Sequence, residues 1–175
     1  DPRIVPNAKR LDEITFDEML ELASMGAKVL HDRSVIFAMN YNVPLRVLSS
    51  FEDGPGTMIV KETKQMEDIV INGIAKKDNE TRVNISGIPD RPGVAGEIFK
   101  KIAEQKINVN MIVQSVGKDD ESQISFTVLN TDLPDTKKVM EELKKELSAK
   151  SVGYDENIAI VSVVGVGMKT HSGVA

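Results

Sequence analysis

The chain has 175 residues, of which 41% are hydrophobic, and 22 basic against 27 acidic residues give a net charge of -5. That length suits one domain or two small ones, with enough apolar material for a core that needs no staple. The absence of cysteine excludes disulfides, thiolate metal sites and a cysteine nucleophile. His31 and His171 lie far apart with no adjacent carboxylate cluster, so no metal is expected. The acidic balance, the scattered basic residues and the lack of tryptophan argue against a nucleic-acid partner. No apolar run approaches the roughly 20 residues that cross a bilayer, and no signal pattern opens the chain. No membrane partner and a cytoplasmic location are therefore expected.

Thr15 and Glu18 form a capping box, and Phe16, Met19, Leu20, Ala23 and Ala27 recur at helical spacing, which predicts a helix ending near residues 26–28. A second helix is predicted from about Arg33 to Asn40, closed by Asn42 and Pro44. Residues 44–48 read as a strand. The turn Asp53-Gly54-Pro55-Gly56 leads into a second strand, Thr57-Met58-Ile59-Val60. Two helices and two strands leave apolar faces uncovered, as in the tail of a larger α/β domain.

Four segments in this region occur in a telling order: Asp1-Pro2-Arg3 with Pro6-Asn7-Ala8, Phe16-Asp17-Glu18-Met19, Gly26-Ala27-Lys28-Val29-Leu30-His31, and Val43-Pro44-Leu45-Arg46-Val47. Together they are similar to the C-terminal part of the catalytic domain in the aspartokinase family. The resemblance implies that Arg3, Lys28 and Val29 border an ATP site, where a guanidinium and an ammonium would neutralise phosphate charge. On the residues alone, the plainer reading is favoured: Arg3 as a frayed end and Lys28 as a solvated cation at a helix C-terminus. The glycine-rich phosphate loop and catalytic lysine that the family carries are missing, so no catalytic residue and no kinase activity are expected in this chain. ATP with Mg belongs to the parent enzyme, and no cofactor is expected bound here.

Residues 61–68 are polar, lack periodicity and read as a linker. Beyond them, Ile69-Val70-Ile71 and residues 81–87 are predicted as strands separated by a polar turn at 76–80. Val94, Ile98, Phe99, Ile102 and Ala103 trace a helix to about Gln105. A strand over 107–116, a charged turn over 117–121 and a strand over 124–128 follow. Pro134 then opens a helix whose buried face is Val139, Met140, Leu143 and Leu147. With a last strand from about Ser151, the order is that of a ferredoxin-like βαββαβ unit, an antiparallel sheet carrying both helices on one face. The fold class is α+β, and that topology alone does not define a function.

The strand-to-helix corner repeats: Ile85-Ser86-Gly87 with Pro92-Gly93-Val94-Ala95 returns about 80 residues later as Val163-Val164-Gly165 with Ser172-Gly173-Val174-Ala175. Paired corners of this kind resemble tandem ACT domains, modules that bind amino acids and regulate metabolic enzymes, and Met168-Lys169-Thr170-His171 is similar to the opening of the second module in aspartokinases. Unsatisfied backbone N–H groups at a helix start can receive a carboxylate, Gly93 permits close approach, and Asp90 can answer an ammonium group. The resemblance implies effector contacts from Asp90, Arg91, Pro92, Gly93, Val94 and Ala95, from Asn108, Val109, Asn110 and Gln114, and, from a facing module, Lys169 and Thr170. A plainer reading makes residues 90–93 a turn and the asparagines ordinary strand-entry residues.

The expected organisation is a kinase-domain tail over 1–60, a linker over 61–68, a first ACT module over 69–155 and a truncated second module over 156–175. The implied partners are lysine or threonine as effector, a second copy through the ACT domains, and the kinase portion of the parent. Two rivals remain at this level. One is a free-standing ACT-type regulator with no kinase ancestry. The other is a ferredoxin-like RNA-binding module, against which the central strands carry one aromatic, Phe126, where base stacking wants two or three.

Overall fold

A computed structural model of the chain describes residues 5–62, 71–117 and 121–165. The chain folds as two compact units, Asp1–Lys77 with Val161–Ala175, and Asp78–Ile160.

In the first unit, β1 (Glu13–Thr15) runs parallel to β3 (Thr57–Val60), and β2 (Leu45–Val47) lies antiparallel on the other side of β3. The strand β1 was not anticipated, because three residues beginning with an exposed glutamate carry no periodicity. Helix α1 (Phe16–Ser24) starts at the expected capping box: the Glu18 amide donates to Thr15 Oγ1 at 3.3 Å and Thr15 N donates to Glu18 Oε2 at 3.2 Å. It stops earlier than the apolar pattern suggests. Gly26 turns left-handed at φ 98°, and the amides of Gly26 and Ala27 close onto the carbonyls of Ala23 and Leu22. A Cβ on Gly26 would stand 3.0 Å from the Lys76 carbonyl, so the turn also requires glycine for packing. Helix α2 (Asp32–Asn40) matches its expected span. Ile14, Phe16, Met19, Val35, Ala38 and Ile59 form this unit's core.

The second unit is built from β4 (Gly73–Pro89), α3 (Val94–Glu104), β5 (Ile112–Val116), β6 (Glu121–Leu129), α4 (Leu133–Glu146) and β7 (Ser151–Val164), with sheet order β5-β6-β4-β7. This is the ferredoxin-like arrangement, and β4 and β7 extend at one end into the first unit. The register sets Val83 opposite Phe126, Ile85 opposite Ile124 and Val116 opposite Ser122. Val94, Ile98 and Ile102 of α3 and Val139, Met140 and Leu143 of α4 enter one core with Val83, Ile85, Ile124, Phe126 and Val128, which puts both helices on the same sheet face. Burying each large apolar side chain there contributes roughly 1.5–3 kcal/mol.

Three sequence expectations need correction. Residues 76–80 are not a turn but part of β4, since a strand tolerates charged residues on its exposed positions while Ala75 and Glu80 point inward. The strand predicted over 107–116 begins only at Ile112, because α3 closes with Lys106 left-handed at φ 58° and Ile107 folds back into the core. The strand predicted over 124–128 extends over Glu121–Leu129. Of the strand predicted at 69–71, Ile71 is outside any strand and the other two residues, like most of the expected linker, lie outside the described residues.

Candidate functional site

The corner between β4 and α3 is made of residues 90–93. Arg91 N donates to the Pro89 carbonyl at 3.1 Å, and Gly93, left-handed at φ 96°, is the N-cap of α3. No side chain caps this helix, and a Cβ on Gly93 would meet nothing within 4 Å. The first-turn amides of Ala95 and Gly96 thus lack intrahelical partners and face an unobstructed approach. The positive end of the helix dipole adds to the attraction for an anion there.

Charge at the corner is divided. The Arg91 guanidinium grips Glu97 in a two-pronged contact, with both N–H···O distances 2.9 Å. Hydrogen bonding by Arg91 holds the Glu97 carboxyl below its ordinary range, and the same contact raises Arg91. Arg91 is therefore committed to its own helix. Asp90 is exposed and makes no side-chain hydrogen bond or ion pair among the described residues, which suits it to meet an incoming ammonium. Val94 is buried in the core and Ala95 is half-buried, so of the predicted corner residues these two act through their backbone. An open groove of about 330 Å³ between α3 and α4 includes the ion pairs Arg91–Glu97 and Lys101–Glu146 together with Lys100 and Glu104.

The other predicted contacts lie elsewhere on the same sheet. Gln114 is exposed on β5 opposite Ile124. Asn108 and Asn110 are exposed and Val109 is half-buried in the segment before β5, where Asn110 N donates to the Thr127 carbonyl at 3.0 Å. Thr127 is six residues along β6 from Glu121, the residue opposite Pro89. At ~3.4 Å per residue, Asn110 and the corner are about 20 Å apart. One module does not bring them together. Lys28 and Val29 are exposed in the turn after α1, and Lys28, beyond the last turn of that helix, is not a helix-end cation. Arg3, Lys169, Thr170 and the second corner of the repeat lie outside the described residues.

Two residues of this region were not foreseen. Glu97 has a signal, an acid in the first turn of α3 facing a nearby arginine. Glu80 has none, because a fully buried carboxylate accepting a hydrogen bond from Asn110 Nδ2 at 2.8 Å sits within a charged run that reads as solvent-exposed. The RNA-binding alternative loses its one aromatic: Phe126 is 1% exposed and packed edge-on against Phe99 at 5.6 Å.

Comparison with known proteins agrees with this geometry. Residues 81–148 match the ACT domain model and residues 1–49 match that of the amino acid kinase family. The class is thus one in which a segment of the amino acid kinase family is followed by an ACT domain. The chain is 51% identical over 176 residues to an aspartate kinase of Pseudomonas putida, covering 100% of this chain and 43% of that protein. It is 37% identical to a chain in the crystal structure of aspartokinase alpha and beta subunits, over 60% of this chain and 68% of that one, with a TM-score of 0.55. Escherichia coli aspartokinase III in complex with aspartate and ADP (R-state) superposes with a TM-score of 0.76 at 28% identity, over 99% of this chain and 39% of that one. The same enzyme in complex with lysine and aspartate (T-state) gives 0.69 at 30%, over 93% and 36%. The chain belongs to the aspartokinase family and spans less than half the length of the Pseudomonas putida relative.

Proposed function

We propose that this chain is part of an enzyme that transfers the γ-phosphoryl group of ATP to the side-chain carboxylate of L-aspartate, giving 4-phospho-L-aspartate and ADP at the start of lysine, threonine and methionine biosynthesis. Its own task is to bind lysine, threonine or both and to restrain the kinase. Residues 1–60 are then the kinase-domain tail, 61–68 a linker, 69–155 the first ACT module and 156–175 the opening of a second, which takes over the far half of β7. The observation that carries the reading is the corner: uncapped amides open to a carboxylate, with an unpaired Asp90 beside them for an ammonium. Those two charges, a short distance apart, are the common feature of all α-amino acids.

A second copy completes the site. Strand β5 is a sheet edge with Ile112, Val113 and Val116 exposed. Pairing two such edges about a two-fold axis is antiparallel, so the start of one β5 meets the end of its mate. That sets residues 108–110 of one chain beside Gln114 and the corner of the other, across the 20 Å that a single module leaves open. Lys169 and Thr170 belong to the facing second module. Lys28, an exposed cation, and Val29 would border the nucleotide along with Arg3, and Mg²⁺ would arrive with ATP, since the described residues hold no cluster of three acidic or histidine ligands. Small water-soluble substrates and effectors fit a cytoplasmic location, and no described helix is long and apolar enough to cross a membrane.

The test is calorimetry and thermal melting of the intact enzyme with L-lysine and L-threonine, since a ligand that binds only the folded state raises the midpoint. Asp90→Ala should weaken binding at least tenfold with an unchanged melting point in the absence of ligand. Binding equal to wild type removes Asp90 from the site, and no binding by the wild type removes the sensor reading.

A further inference from the structure

Two asparagines hold left-handed backbone inside long strands: Asn79 in β4, at φ 64°, and Asn157 in β7, at φ 60°. They lie at the same level. Ser86 Oγ is 2.7 Å from Ser151 Oγ, and Arg82 reaches Asp155 at 2.6 and 2.8 Å, so β7 runs antiparallel beside β4. Two residues further along each strand, Asn157 comes opposite Glu80, the neighbour of Asn79. Close by, β4 leaves the second unit before Asp78, and β7 leaves it after Ile160. A left-handed L-residue is sparsely populated and persists where its surroundings over-determine it.

Those surroundings are two hydrogen-bonded side-chain groups joined through the backbone of Glu80 and Thr81. Asn110 Nδ2 donates to the buried carboxylate of Glu80 at 2.8 Å. The next residue, Thr81, donates through Oγ1 to Asn130 Oδ1 at 2.7 Å, and Asn130 Nδ2 donates to Asn157 Oδ1 at 3.1 Å. At its origin the network is anchored twice more, by Asn110 N to the Thr127 carbonyl at 3.0 Å and by Thr127 N to the Met111 carbonyl at 3.1 Å. The segment offered above as an effector contact is thereby wired, in four side chains, to the bend in both strands that continue into the first unit.

We propose that this network transmits effector occupancy: a ligand that pulls on Asn110 resets Glu80, Thr81 and Asn130, and with them the backbone at Asn79 and Asn157. Asn130 is the positioning residue, hydrogen-bonded to a side chain of each strand. This inference rests on the sensor reading of residues 108–110. Coupling of this kind needs an element with two arrangements that both sites bias, and a pair of facing left-handed residues, each able to relax to the ordinary strand region, is such an element.

The test separates binding from inhibition in the intact enzyme, with L-lysine and L-threonine as probes, singly and together. Asn130→Ala removes both side-chain bonds without touching any proposed ligand or nucleotide contact. The expected result is calorimetric Kd within twofold of wild type and an unchanged uninhibited rate, while the amino acid concentration for half-inhibition rises at least fivefold. Asn157→Gly, which keeps the left-handed backbone accessible but deletes the acceptor, should shift inhibition in the same direction and serves if the alanine variant does not fold. Unchanged inhibition in both variants overturns the proposal, as does a parallel loss of binding and inhibition, which would mark the network as scaffolding for the site. Failure of the wild type to bind either amino acid overturns the sensor reading itself and is visible separately.

Discussion

At the scale of single residues, Tyr154 shows how burial acts through a proton. Its phenol is half-buried on β7, with the Lys137 ammonium 5.2 Å from the ring centre. Burial, and after it the nearby Glu141 carboxylate, raises its pKa above the ordinary value of 10.0. A raised folded-state value means that the unfolded chain loses its proton first. The stabilisation is complete below pH 10 and disappears as pH climbs through the folded value. Tyr154→Phe should therefore flatten the alkaline limb of a stability-versus-pH curve while leaving the neutral region within about 1 kcal/mol, and denaturant melts between pH 8 and 11 check it. Neither this burial nor the buried state of Glu80 was legible in the sequence, because both follow from which strand lies alongside, a long-range fact. The corner residues were legible, since Asp90-Arg91-Pro92-Gly93 announces a break and a helix start through local chemistry alone.

At the scale of elements, helix starts and helix stops differ in how openly they are written. Thr15 with Glu18, and Pro134 in the first turn of α4, announced their helices. The stops all use one device: the residue after the cap turns left-handed, and the next amide reaches back to the carbonyl five residues earlier. Only α1 places glycine there. In α2, α3 and α4 the left-handed residues are Asn42, Lys106 and Ser148, which signal nothing strongly from sequence. Ser148 is exposed, so Ser148→Gly relieves the left-handed penalty of an L-residue at the cost of extra freedom in the unfolded chain. The expected net gain is about 0.5–1 kcal/mol, read as a rise of a few degrees in the melting temperature. A fall would mean that the serine hydroxyl contributes more than its backbone costs. The length of β4 was hidden for a related reason: a charged run reads as a turn unless its alternation is recognised, and Asn79 breaks that alternation by one residue.

At the scale of the whole molecule, each unit buries its own core, and the two family models fall on separate stretches, residues 1–49 and residues 81–148. What a sequence does not display is which sheet edge stays open. Of the two edge strands, β5 and β7, it is β5 whose residues are all exposed. If two copies pair through β5 as proposed, Val113→Lys should raise the dimer dissociation constant at least tenfold, because pairing would set two added ammonium groups near one another across the two-fold axis. Sedimentation over a range of concentrations checks this, and an unaltered dimer would place the contact on another surface. If the effector site is shared as proposed, the same variant should lose lysine or threonine binding in step with dimerisation.

The run Met111-Ile112-Val113-Gln114-Ser115-Val116 also bears on aggregation. It carries no charge, no proline and no glycine, has high strand propensity, and ends at an unpaired row of backbone donors and acceptors. Such a segment is able to template cross-β stacking. If two copies pair through β5 as proposed, capture of that edge competes with fibril nucleation, and a chain kept from pairing is the more prone to deposit.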